Sequence, residues 1–306
     1  MHDMISAQYD PWPALPYAEF KSTQHLLHRF VQVLGKVKLT TPFEPHWSNV
    51  ALWITSRGIT TGPVPYHQGV FSIDVDFITH QVICNTSWES MEYFALGSMS
   101  VAHLTHSLFA ALHNLGIDIT INMVPQEVPD PVEFDKDTET REYRPDLANA
   151  WWRILISSYS VMQRYHSRFY GITPAIGLMW GTFDLRDARY KGLHLATEGI
   201  NSGYIRRNAM DDAQVEAGWW SGNEQYPRPA YFSFIYPEPT GIDQVKIKPD
   251  QARWDNTLRE FIIDYDDIRL SSDPAQALLS FFESSYLAEA RKAGWESDLI
   301  VSGEPV

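Results

Sequence analysis

Apolar residues recur along the chain in two rhythms, one of about 3.6 residues and one of 2, the periods of helix and strand respectively. In YAEFKSTQHLLHRFVQVLG, Tyr17, Phe20, Leu27, Phe30, Val31 and Leu34 share one helical stripe, and Gly35 is the expected stop. NVALWITSRG then alternates. GVFSIDVDFITH alternates almost without fault, setting Phe71, Ile73, Val75 and Phe77 against Ser72, Asp74 and Asp76, the pattern of an antiparallel strand with one wet face. Short strands follow in QVICNTS and SMEYFAL. SVAHLTHSLFAALHNLG reads as a helix that Ser98 or Ser100 would cap and Gly116 would close.

The segment VPQEVPDPVEFDKDTETREYRP breaks the pattern with four prolines, many acids and few apolar residues, and reads as a solvated connection over 125–145. The rhythm then restarts. DLANAWWRILISSYSVMQRYHSRFYG is apolar around much of its girth, as a buried helix would be. Strands are expected near 175–186, 188–195, 212–220 and 230–237. The final helix begins at a marked cap, Asp273 followed by Pro274, with Leu278, Leu279, Phe282 and Tyr286 as its stripe. The chain is therefore expected to be α+β, with mainly antiparallel sheets and amphipathic helices. Two similar halves, 1–124 and 146–306, each run helix, strands, helix, and share the fragments Trp53-x-Thr55 and Trp180-x-Thr182.

Composition narrows the partners. The 306 residues carry 38 acidic and 24 basic side chains, a formal charge of −14, which disfavours nucleic acid and anionic membranes. No apolar run approaches the ~20 residues of a spanning helix. The start has neither the basic flank nor the apolar core of a signal peptide, and Cys84 is the lone cysteine, so the expected home is the cytoplasm. Eleven tryptophans and fifteen tyrosines can fill a core or line a pocket.

The segments PWPALPYAEF, LGKVKL, SRGITTGPVPY, MWGTFDLRDARY, GWWSG, FSFIYPEPTG and DPAQALLSFFESSYLAEARKAGW, in that order, resemble an uncharacterised bacterial family, domain-of-unknown-function family 5996. The resemblance runs over nearly the whole chain. It implies one family unit in a bacterial cytoplasm and brings no reaction with it. Its most recognisable segments here surround Arg57, Trp180 to Asp184, and Tyr236 to Gly241. The histidines of the AHLTHSLFAALH helix lie outside the family pattern.

Several chemical sites fail on geometry. His103, His106 and His113 oppose the apolar stripe of their helix, and a separation of about 10 Å along the axis keeps His106 and His113 from one zinc. Asp135, Asp137 and Glu139 have the spacing of a calcium loop but lack its glycine and its closing glutamate. Cys84 lies mid-strand with no cation beside it and reads as a structural thiol. No phosphate loop, dinucleotide fingerprint or zinc-protease pair occurs, and no metal or cofactor is expected.

What remains is a set of polar and aromatic residues that a cavity between the halves would unite. If MWGTFDLR is one strand, Trp180, Thr182, Asp184 and Arg186 share a face, and Asp184 has Arg57 or Arg186 as an expected partner. Glu238 is fixed between Pro237 and Pro239 in IYPEPTG. The leading reading is binding of a small polar organic ligand, carbohydrate-like or carboxylate-bearing, by Trp53, Arg57, Tyr66, Trp180, Arg186 and Tyr236 with Asp184 and Glu238. The alternative is a cofactor-independent hydrolase or isomerase, with Asp184 or Glu238 as general base and His46 or His67 as acid. A third is a scaffold without a pocket, which would expose Trp219 and Trp220 as an apolar patch. A homo-oligomer is left open.

Overall fold

The computed structural model describes residues 9–67, 69–129, 131–195, 204–296 and 299. Helix α1 (Tyr17–Lys38) is followed by strands β1 (Trp53–Ile54), β2 (Gly58–Thr60), β3 (Val64–Tyr66), β4 (Gly69–Asp76), β5 (Gln81–Thr86) and β6 (Met91–Ala95), and by α2 (Val101–Asn114). These strands form one antiparallel sheet in the order β1-β2-β4-β5-β6, with β3 also on β4. The alternation in β4 does what it predicts: Phe71, Ile73 and Val75 are buried, beneath α2, which packs on β5 and β6. The fold class is α+β.

The second portion starts with α3 (Pro145–His166). Next come β7 (Gly177–Met179), β8 (Asp184–His194), α4 (Tyr204–Ala209), β9 (Asp212–Trp220), β10 (Ala230–Tyr236), β11 (Arg253–Asp255) and β12 (Glu260–Asp264). The short α5 (Tyr265–Arg269) and the long α6 (Pro274–Lys292) close it. Its antiparallel sheet has the order β11-β12-β10-β9-β8-β7, and α3 and α6 cover one face. The sheets meet edge to edge where Leu52 and Leu178 exchange backbone hydrogen bonds of 3.0 and 2.8 Å. One contiguous apolar cluster runs through both portions, from Leu15 to Ala290.

Both long-helix caps form as expected. The Ser100 hydroxyl accepts from the His103 N–H at 3.1 Å, and the Asp273 carboxylate from the Gln276 N–H at 3.0 Å, with Pro274 in the first turn. His103, His106 and His113 are exposed.

Four expectations are corrected. Gly35 does not stop α1, which runs one turn further. A methyl group there would stand 2.1 Å from Cγ of Trp180, so this glycine is a notch for the indole ring. MWGTFDLR is a hairpin, with Met179 opposite Asp184 and a loop at Trp180–Phe183 in which Phe183 has φ 64°. Alternation reports a common face only along extended backbone, and this turn ends it. NVALWITSRG is not one long strand: its first two residues end a 3-10 turn, Pro45–Val50, that holds His46 and Trp47 at positive φ, and only Trp53–Ile54 form the short β1. The Thr55 hydroxyl then accepts from the N–H groups of Arg57 and Gly58 and turns the chain. Finally, the acidic connection is packed: Phe134 is fully buried, Tyr143 is 5% exposed, and the Ala102 N–H donates to the Asp137 carbonyl at 2.9 Å. A few apolar anchors spaced along the segment suffice where backbone bonds carry the rest.

Candidate functional site

The second sheet has two faces with different cover. Register places Asp184 opposite Trp220, Arg186 opposite Gly218, Gly218 opposite Phe232, and Glu216 opposite Phe234. These side chains lie on the face away from α3 and α6. Gly218 is required there: a methyl group would come within 2.7 Å of the Phe232 ring. Over this face stands a cavity of about 660 Å³. Trp47 and Val50 of the 3-10 turn form one wall. The others are the Trp180–Thr182 loop, Met210 after α4, Tyr236–Glu238 after β10, and Leu258–Glu260 entering β12. Glu127, from the acidic connection, completes the lining.

The rim is anchored from α1. Gln32 clamps the connection next to Glu127: its amide donates to the Gln126 carbonyl at 2.8 Å, and its side-chain carbonyl accepts from the Gln126 N–H at 2.8 Å. His28 Nε2 lies 2.9 Å from the Gly181 carbonyl. Burial drives this imidazole down to about 3, so it is neutral and donates through Nε2–H.

Two ion pairs sit in the lining. Arg186 meets Glu216 at 3.0 Å with both side chains buried. Arg259 holds Glu238 through two hydrogen bonds, one of them 3.0 Å from Nε to Oε2. Asp184 has neither expected partner: Arg57 is bound to Asp76 at 2.5 Å in the other sheet, and Arg186 is taken by Glu216. The Asp184 carboxyl accepts a hydrogen bond from the Thr182 hydroxyl. Burial pushes its pKa up to about 7; the Thr182 bond opposes this, Glu216 adds to it, Arg186 opposes it and Glu127 adds to it. Burial, then the charges of Asp184 and Asp255, pushes Glu260 up to about 8. Burial also raises Glu216, against the pull of Arg186.

Of the residues singled out in the sequence, the cavity brings together Trp180, Asp184, Arg186, Tyr236 and Glu238. It does not include His46, whose ring stacks on Tyr190 at 3.7 Å, one position before the lining residue Trp47. Trp53, Arg57 and Tyr66 belong to the first sheet. Trp53 is 38% exposed with the Lys38 ammonium 4.5 Å from its ring, and the Tyr66 hydroxyl accepts from the Asp118 N–H. His67 packs edge-on against Tyr66. The convergence of His46 and Arg57 with Asp184 and Glu238 is therefore not what the chain builds. Trp219 is fully buried and Trp220 borders the cavity, so the exposed patch of a scaffold is absent at these two residues.

Sequence reasoning missed Trp47, Glu127, Glu216 and Glu260. Glu216 had a signal: in DAQVEAGWW it is a mid-strand acid, with Asp212 and Gln214 on the face opposite Ala213, Val215, Ala217 and Trp219. Cys84 is buried, and its thiol is pushed up to about 12 by burial and by Asp74 and Glu92. Among the described residues no group of three or more His, Cys, Asp or Glu could hold a metal ion, and no helix is long and apolar enough to cross a membrane.

Sheet, helices and cavity define an α+β protein in which one sheet face packs on helices and the other stands open over an aromatic, acid-rich hollow. The chain belongs to a family of unknown function, DUF5996, whose model matches residues 12–302 and so takes in both sheets. No curated protein and no solved structure matches the chain.

Proposed function

We propose that the protein binds a small polar organic molecule in this cavity, beside Trp180, stacked on Trp220 and Tyr236 and oriented by the ionisable groups next to them. The observation that carries the reading is the hollow itself: about 660 Å³, inside the usual range of roughly 300–1,000 Å³ for small-molecule sites, with apolar walls and a few polar groups. A bacterial cytoplasm is the proposed setting, supported by the family resemblance and by the lone buried thiol of Cys84. The charge of −14 argues against nucleic acid and anionic membranes as partners.

A thermal-shift screen against a metabolite library tests this. A ligand at a hundred times its Kd adds about 2.7 kcal/mol, worth roughly 5 °C for a chain of this length. Hits should lose most of their shift in Asp184→Asn. A hit that keeps its full shift in that variant binds elsewhere and removes the site assignment.

A second reading, an enzyme with Asp184 as general base, is favoured by one specific observation: this carboxyl titrates near neutrality and has no cation of its own. Glu238 is committed to Arg259 and suits positioning instead. Turnover of a library hit that vanishes in Asp184→Asn would support this second reading; a hit recovered unchanged would refute it.

A further inference from the structure

We infer that the cavity selects a cationic organic ligand, an amine whose ammonium group pairs with Asp184 and Glu260 while its carbon skeleton packs on the aromatic wall. This deepens the proposed binding function and rests on it.

The argument begins with how the charges in the lining are spent. Five carboxyl groups border the hollow, those of Glu127, Asp184, Glu216, Glu238 and Glu260, against the two guanidinium groups of Arg186 and Arg259. Both guanidinium groups are already engaged, with Glu216 and Glu238. Neither Asp184 nor Glu260 makes an ion pair among the described residues. Asp184 is only 7% exposed, so its negative charge has neither bulk water nor a counter-ion. Removing an ion from water costs several kcal/mol unless an opposite charge and hydrogen bonds replace the lost hydration.

Three ligand classes fare differently here. A carboxylate or phosphate would meet more acid and find no uncommitted cation. A neutral polyol could hydrogen-bond to protonated acids but would leave them protonated. An ammonium supplies the missing charge, and the faces of Trp220, Phe234 and Tyr236 attract cations through their ring quadrupoles. The net charge of −14 draws cations toward the protein as a whole.

Pairing with an ammonium requires ionised carboxyls, so binding near neutral pH expels protons. The groups facing Asp184 are Thr182, Arg186, Glu216 and Glu127. Those facing Glu260 are Asp184 and Asp255, with Arg259 beside it in the lining and Glu289 on the far, helix face of the sheet. Burial first, and then the surplus of acids around both, raises the two carboxyls toward their protonated forms.

Titration calorimetry with three probes of one shape, phenethylamine, 2-phenylethanol and phenylacetate, tests the inference at pH 7. Phenethylamine should bind at least about tenfold tighter than either other probe, and tighter again at pH 8.5 than at pH 6. In wild type its apparent enthalpy should change between phosphate and Tris buffers, because protons are released. The variant Asp184→Asn/Glu260→Gln should lose the preference for the amine, its affinities for phenethylamine and 2-phenylethanol falling within about twofold of each other. Phenethylamine bound no more tightly than the alcohol or the acid, or not at all, overturns the inference. If the metabolite screen then yields a neutral or anionic ligand lost in Asp184→Asn, the binding site stands and only its charge preference falls. If the screen yields nothing, the binding reading falls as well.

Discussion

Replacing Asp184 by asparagine should stabilise the protein, and increasingly so as the pH rises. The carboxyl has an ordinary pKa of 3.8 and is held at about 7 in the fold, mainly by burial. Between these values the unfolded chain has already lost the proton that the native state keeps. Stability is therefore greatest below the unfolded value and declines as pH rises through the folded one. The full difference is about three pK units, about 4 kcal/mol by order of magnitude. Asparagine has the shape of the protonated acid and retains an oxygen to accept the Thr182 hydroxyl, yet it never ionises. The gap between variant and wild type should be near zero at pH 4, widen to pH 7, and stay level to pH 9 at about 2–4 kcal/mol, or roughly 4–8 °C in melting temperature. Urea unfolding monitored by circular dichroism across that range measures it directly. A gap that does not vary with pH, or a variant less stable than wild type at pH 9, would refute the claim that an unpaired, desolvated acid sits in this cavity.

Two further outcomes probe the surroundings. Gly35→Ala should cost roughly 1–3 kcal/mol and shift tryptophan fluorescence, because its methyl group would enter the space of the buried Trp180 ring; a change under about 0.5 kcal/mol would mean that the ring is not wedged there. Cys84 should react with an aromatic disulfide reagent on the order of a hundred times more slowly in the native protein than in urea, since it is buried and its thiol is held at about 12; comparable rates would place it at an open position.

The sequence made some elements legible because local rules govern them. The alternation of Phe71, Ile73 and Val75 and the caps Ser100 and Asp273 depend on a few neighbouring residues, and these match the structure. What escaped depends on remote partners. Gly35 looks like a helix stop unless Trp180 is known to press on it from 145 positions away in the chain. Trp53 and Trp180 share a short fragment, but one lies on an exposed edge strand and the other fills a notch in α1. Asp184 and Arg186 read as natural partners two residues apart, and only cross-strand register shows that Glu216 reaches the guanidinium. The expected carboxylate-bearing ligand fits poorly once those pairings are known.

The contrast between the two faces of the second sheet is the strongest physical argument for a function at all. Charged and polar residues are buried on both. On the helix face Asp187 and Arg189 have charged partners, although Asp187 Oδ1, Arg189 Nε and Glu289 Oε1 make no hydrogen bond among the described residues. Asp187 lies 2.5 Å from His166, and Arg189 donates to the Tyr165 carbonyl and rests between the rings of Tyr165 and Tyr286. Burial raises the Glu289 carboxyl well above its usual range, and it accepts a hydrogen bond of 2.7 Å from the Ser233 hydroxyl. Such groups tie helices to sheet. On the cavity face Asp184 and Glu260 have no counter-ion among the described residues, and both border the cavity. Asp184 and Glu260 differ from the equally unpaired Glu289 in bordering a cavity, and acids left without a counter-ion beside a cavity are characteristic of a site completed by a bound molecule. If stabilisation by Asp184→Asn and loss of amine binding occur in the same variant, the deficit and the function share one cause.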